Sequence, residues 1–271
     1  MTAARPMSRA RKRFGQHFLH DPAVIARIAD AVALRPGEAA VEIGPGQGAL
    51  TARLLSAAGQ LDAIEIDRNL AVMLRARFGD EPGWVLHQAD ALETDWRALA
   101  AARGARLRVI GNLPYNISTP LLFRLLESST AILDMHFMLQ KEVVDRIVAA
   151  PGTRDYGRLS VMLAPRVGAT RLFEVGAGAF RPAPRVTSAL VRLVVRPEPP
   201  EWASSPLYAD IVTAAFGQRR KTLRNALRRY LPPEAMQAIG IDPGARAETL
   251  APERFGALAH AAARATAAAF R

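Results

Sequence analysis

The chain has 271 residues, half of them apolar, so it is long and apolar enough to bury a sizeable core, and wholesale disorder is excluded. Lys and Arg number 36 against 25 acids, a net charge of +11; unless an Arg-rich, Ala-rich composition alone set that excess, it points to a polyanionic partner, most often nucleic acid. There is no cysteine, which excludes disulfides, thiolate zinc sites, cysteine nucleophiles and a zinc-dependent nucleobase deaminase; no apolar run is long enough to span a membrane, and no metal is expected.

The first 20 residues carry several arginines and no acid. No long apolar segment follows them, so the chain is read as cytoplasmic and unprocessed. Arg11, Lys12 and Arg13 form either a basic contact or a tail. From about residue 22 to 193, helix-period segments alternate with strand-like ones at Ala40–Ile43, Leu61–Ile66, Trp84–Gln88, Leu107–Ile110 and Met135–Leu139. That alternation predicts a parallel sheet with helices on both faces, with ligands bound along the carboxyl ends of the strands. Four prolines in VVRPEPPEWASSP, residues 194–206, read as a linker. The chain is therefore divided into an α/β domain, 1–198, and a small helical domain, 199–271.

Four strand ends carry chemistry. In VEIGPGQGAL, residues 41–50, a strand runs into Gly44, Gly46 and Gly48 and then a helix. Such a turn lets backbone amides approach a nucleotide-like ligand, although it also serves as a plain tight turn. In LDAIEIDRNL, Glu65 lies 21 residues beyond Gly44, where a carboxylate accepts both hydroxyls of a ribose. Asp67 competes for that role or caps the next helix. HQAD ends in Asp90, which is either an acceptor for an adenine amino group or a solvated turn acid.

The fourth is GNLPYNIST, residues 111–119. Ser118 or Thr119 as N-cap, with Pro120 at the first helical position, accounts for its end. Leu113-Pro114-Tyr115 needs another reason. Pro114 keeps Leu113 out of helical conformation and aims its carbonyl beside the Asn112 amide oxygen, giving two acceptors next to an aromatic face. That pair suits a flat group bearing NH2, such as adenine. Binding both amino hydrogens favours a pyramidal nitrogen whose lone pair attacks a methyl group in line, with Tyr115 stacked on the base.

Farther on, FGQRRKTLRNALRRY, residues 216–230, reads as a helix with Arg220, Arg224 and Arg228 on one face and Leu223, Leu227 and Tyr230 on another. With few acids nearby, Arg219, Arg220, Lys221, Arg224 and Arg228 read as phosphate contacts rather than as a solvated charged face.

GNLPYNIST resembles the Asn-Pro-Pro-Tyr type motif of S-adenosylmethionine-dependent amino-methyltransferases, with leucine second. Together with KRFGQHFL (12–19), VEIGPGQGALT, IEID, MLQKEVVDRI (138–147), YGRLSV (156–161), FRPAPRVTSALVRL (180–193) and FGQRRKTLRNAL (216–227), it closely resembles the KsgA/RsmA family, from about residue 8 to 230. The resemblance implies a Rossmann-like class I methyltransferase with a C-terminal helical RNA-binding domain. It also implies dimethylation of two adjacent adenosines near the 3′ end of 16S rRNA, within the small ribosomal subunit or its precursor, by a monomer using S-adenosyl-L-methionine. By the same resemblance, His17 and Leu19 flank the methionine end of the cofactor, Gly44 contacts it through the backbone, Glu65 holds the ribose and Asp90 the adenine. Asn112 lies beside the methyl donor, and Phe180 stacks on the target base opposite Tyr115. His17 stands where many relatives carry asparagine. The alternatives are an Erm-type 23S rRNA adenine methyltransferase, against which the 216–227 segment argues, and a non-catalytic RNA-binding assembly factor.

Overall fold

A computed structural model describes residues 16–114, 117–218 and 221–269. Tyr115, Arg219, Arg220 and the Arg11 to Arg13 cluster lie outside the described residues. By internal contacts the chain divides into two compact units: residues up to Val144 with Ala169–Pro197, and Asp145–Gly168 with Glu198 onward.

The first unit is built around a seven-stranded sheet. Its strands are β2 (Ala40–Ile43), β3 (Leu61–Ile64), β4 (Trp84–His87), β5 (Leu107–Asn112), β6 (Ile132–Gln140), β7 (Val167–Val175) and β9 (Ser188–Val195), in the order β4-β3-β2-β5-β6-β9-β7. Adjacent strands from β4 to β6 run parallel, and β9 is antiparallel to β6. The five strands expected from sequence are all present. The sheet is mixed rather than wholly parallel, because β9 and β7 extend it. Neither was legible as a strand: SALVRLVV directly follows a proline-rich loop, and most of VGATRLFEV is half-buried or exposed, so it shows no apolar run. A separate pair, β1 (Phe18–Leu19) with β8 (Phe180–Arg181), sets Leu19 opposite Phe180.

Helices α1 (Pro22–Val32), α2 (Thr51–Ala58), α3 (Arg68–Phe78), α4 (Trp96–Arg103) and α5 (Ser118–Glu127) connect the strands, and their starts follow local chemistry. Asp21 caps α1 by accepting from Ala23 N and Val24 N, with Pro22 at the first position. Asp95 caps α4 in the same way. Helix α5 departs from expectation: it starts at Ser118, with Ile117 as its cap and no side-chain capping bond. Ser118 is buried in the first turn, and the chain is fixed there by Leu121 N donating to Ile117 O, so the cap expected of Ser118 or Thr119 is not formed.

Interior strand positions such as Val41, Leu61, Val109 and Phe137 are fully buried, as a sheet covered on both faces requires. One buried ion cluster fixes the end of α1 against the sheet. Arg108 donates to both oxygens of Asp134 (3.0 Å each), to Glu38 (2.6 Å) and to the carbonyl of Val32 (2.8 Å). These contacts satisfy a guanidinium that burial would otherwise penalise heavily.

Helix α6 (Lys141–Val148) follows β6; in the second unit, α7 (Arg158–Leu163), α8 (Tyr208–Gly217), α9 (Leu223–Ala226), α10 (Pro233–Ala238) and α11 (Pro252–Ala269) enclose a core that includes Leu223, Leu227 and Phe255. Tyr156 and Val161 belong to that core, which is why residues 145–168 group with this unit although they precede the proline-rich segment. The Tyr156 hydroxyl donates to Leu250 O at 2.7 Å, and that of Tyr208 to Val161 O at 2.9 Å. The single helix expected over 216–230 is not formed: α8 stops at Gly217, and α9 lasts four residues. Leu223 N and Arg224 N instead donate to the carbonyls of Ala245 and Pro243, a tertiary pairing that helical periodicity does not reveal.

Candidate active site

The carboxyl ends of β2, β3, β4 and β5 surround one cavity in the first unit. It is lined by His17, Leu19, Gly44, Glu65, Asp90, Asn112 and Leu113, among others, so seven residues chosen from sequence do come together.

The turn after β2 forms one wall. Gly44, Gly46 and Gly48 all have positive φ. At Gly46 (φ 58) a Cβ would also lie 3.1 Å from the Phe18 ring, so glycine lets the 16–20 segment close over the loop. The Glu65 carboxylate ties the loop to the next strand end by accepting from Gly46 N at 3.3 Å and Asp67 N at 2.8 Å. Burial pushes Glu65 up to about 7, against the lowering effect of these amides; Asp67 adds to the rise. Of the two acids suggested for a ribose, Glu65 lines the cavity and Asp67 does not. Asp67 is the N-cap of α3, accepting from Asn69 N at 2.8 Å, and does not line the cavity. Asp90 braces its own turn with one oxygen on Leu92 N at 2.9 Å while lining the cavity beside Ile66, which is 49 % exposed.

The opposite wall is the end of β5. Gly111 is required because a Cβ there would meet Ile43 O at 2.9 Å. The next residue, Asn112, donates from Nδ2 to the backbone carbonyl of His17 at 3.0 Å. A carbonyl accepts only, so this bond fixes the amide orientation and turns Oδ1, the acceptor, away from the His17 carbonyl. The His17 ring in turn sits 2.7 Å from Pro182 O through Nδ1; that nitrogen therefore carries the proton. The 16–20 segment thus links the glycine loop, the 180–182 segment and Asn112.

Phe180 departs from expectation. It is 3 % exposed and packed in the core with Leu19 and Val175, and it does not line the cavity. Its pairing with Leu19 makes it an anchor for the 16–20 segment rather than an open stacking face. Lys221, Arg224 and Arg228 are exposed on the second unit, with Arg224 inside α9 and Arg228 beyond its end, so these two do not share one helix face.

Two cavity residues were not anticipated. Glu42, in the middle of β2, accepts from the Thr51 hydroxyl at 2.6 Å; burial, with Glu65 adding to it, pushes it up to about 7. His136, in the middle of β6, is 1 % exposed. The sequence held a signal for each: a titratable residue inside an otherwise apolar strand. Among the described residues no group of acids and histidines is arranged to hold a metal, and no helix is long and apolar enough to cross a membrane.

A sheet of this order, with a glycine turn, an acid and an asparagine amide on one edge, defines a class I methyltransferase fold. The family model for ribosomal RNA adenine dimethylases matches residues 7–264, and the chain belongs to that family. It is 53 % identical over 259 residues to ribosomal RNA small subunit methyltransferase A of Chromohalobacter salexigens, covering 94 % of this chain and 92 % of the relative. It is 56 % identical to the protein of that name from Aromatoleum aromaticum, covering 89 % and 90 %. Among solved structures, the 23S rRNA methyltransferase ErmE superposes with a TM-score of 0.70 at 31 % identity, covering 91 % of this chain and 99 % of ErmE.

Proposed function

We propose that the chain uses S-adenosyl-L-methionine to dimethylate N6 of two adjacent adenosines in the 3′-terminal hairpin loop of 16S rRNA, acting on the small ribosomal subunit or its precursor in the cytoplasm. The observation that carries this reading is Asn112: its amide is oriented by the His17 carbonyl, at the edge of a cavity that Glu65 and the glycine loop also line.

The residues present fit such a cofactor. Glu65 keeps acceptor capacity for ribose hydroxyls beyond its two amide bonds, Asp90 lines the same cavity as a second acceptor for an adenine amino group, and nothing lies within 4 Å of the Cβ position at Gly44, which leaves its backbone open to approach. When bound, the cofactor supplies an electrophilic methyl on a sulfonium. Asn112 Oδ1 and the Leu113 carbonyl accept the two hydrogens of the adenine amino group, concentrating its lone pair on nitrogen. The adenine nitrogen, once it carries the new methyl, would release its proton to solvent. No strong base is needed, because a methylated adenine ammonium is a strong acid. Tyr115 is proposed to stack on the base. Lys221, Arg224 and Arg228, together with Arg219 and Arg220, are proposed to contact RNA phosphates.

The likeness to ErmE leaves a large-subunit adenosine as the second reading, and the higher identity to small-subunit enzymes favours the first. Mass spectrometry of ribosomal RNA from a strain lacking the gene separates them. Loss of the two dimethyladenosines of 16S rRNA is expected, restored by the wild-type gene and not by Asn112→Ala; loss from 23S rRNA alone would overturn the assignment.

A further inference from the structure

The glycine loop is held from outside the cavity as well as from within it. Gly48 (φ 75) rests on the last turn of α3: a Cβ there would lie 2.5 Å from the Phe78 ring, so glycine is what lets the loop seat so closely. Phe78 is 6 % exposed and belongs to the core, which makes it a fixed floor for the loop. The residue before it, Arg77, is exposed and does not line the cavity. Its guanidinium carbon lies 4.9 Å from the centre of the Phe78 ring, and one Nη donates to the backbone carbonyl of Gln47 at 2.7 Å. The amide at the other end of that peptide bond, Gly48 N, donates to Pro45 O at 2.8 Å. A peptide unit is planar, so a bond at each end sets its orientation, and with it the path of Gly46 and Gln47 along the cavity wall.

We infer that Arg77 is a positioning residue for the cofactor site, acting through the Gln47 carbonyl from the side of the loop away from the ligand. The inference rests on the proposed use of S-adenosylmethionine. The contact is open to solvent, so without the guanidinium the carbonyl bonds to water and the Gln47–Gly48 peptide gains competing orientations. A ligand that requires one loop conformation binds with an apparent Kd equal to its intrinsic Kd divided by the fraction of protein in that conformation. Arg77 raises that fraction. Its donor is charged, which strengthens the bond to the carbonyl, and the Phe78 ring beside it restricts the guanidinium to the bonding position. The methyl acceptor sits on the opposite wall, at Asn112, so the effect of Arg77 falls on cofactor binding and not on the transfer step.

Calorimetric titration with S-adenosylhomocysteine, beside methyl-transfer kinetics on small-subunit particles, tests this. Arg77→Met keeps an apolar stem against Phe78 and loses the donor. Its Kd for S-adenosylhomocysteine is expected to rise by about fivefold, equivalent to one hydrogen bond, with the cofactor KM rising alike and kcat at saturating cofactor unchanged. Arg77→Lys, which keeps a charged donor within reach of the carbonyl, should recover most of the loss. Wild-type affinity in the methionine variant, a lysine variant no better than methionine, or a fall in kcat as large as the loss of affinity would overturn the inference. A wild-type protein that does not bind S-adenosylhomocysteine would instead refute the cofactor assignment, so the two failures remain distinct.

Discussion

Asn112 combines two requirements that one side chain rarely meets: an amide oxygen available as an acceptor and an amide nitrogen already engaged. The His17 carbonyl engages the nitrogen and so orients the oxygen; in the proposed mechanism that leaves little reorganisation for the reaction. Replacing Asn112 by Ala removes the acceptor and frees the His17 carbonyl, while the glycine loop and Glu65 persist. Turnover is expected to fall by about two to three orders of magnitude, the usual cost of one preorganised polar contact, with S-adenosylhomocysteine affinity within about threefold. Single-turnover methyl transfer beside equilibrium binding measures both; near-normal turnover would refute the acceptor mechanism. Glu65 and Asn112 were singled out by strand-end position and motif, His17 by resemblance, and all three line one cavity. Phe180 was misplaced because aromatic identity does not tell whether a ring faces a cavity or a core: pairing with Leu19 settles that, and strand pairing between residues about 160 apart has no local signal.

At the level of elements, the parallel strands were legible because buried β-segments between amphipathic helices leave a strong pattern. The segment 216–230 shows where the pattern misleads. Leu223 and Leu227 are buried at the expected spacing, yet α9 supplies just one turn, and backbone bonds to Pro243 and Ala245 break the helix that FGQRRKTLRNAL spells. The charges nevertheless remain on the outside: Lys221, Arg224 and Arg228 are exposed. If Arg224 and Arg228 each neutralise one phosphate, changing both to Glu should reduce the slope of log affinity against log salt by about 1.4 to 1.8, as each contact releases 0.7 to 0.9 of a counterion. Titrating a small-subunit RNA hairpin at several salt concentrations measures it. An unchanged slope would move the RNA surface elsewhere.

For the whole molecule, the cavity has a cost that pH exposes. Glu42 is buried, and that burial, together with Glu65, raises its pKa from 4.5 to about 7. The folded state therefore holds this proton over a range in which the unfolded chain has released it. Stability from this group is full below about 4.5 and declines as pH rises to about 7, because the folded state binds more protons than the unfolded one throughout that window. Glu65 is shifted in the same direction by its own burial. His136 opposes both: its pKa falls from 6.5 to about 4, so its contribution to stability grows as pH rises across that interval. The slope of the wild type is thus a sum of opposed effects, and the change caused by Glu42→Gln isolates one of them. Glutamine keeps an acceptor for Thr51 and cannot ionise. Urea unfolding at about pH 5 and about pH 8 should show the variant gaining on the wild type at the higher pH by on the order of 3 kcal/mol, the product of the shift and 1.36 kcal/mol per unit. A stability difference that does not change with pH would mean that Glu42 ionises as readily in the folded protein as in the unfolded one.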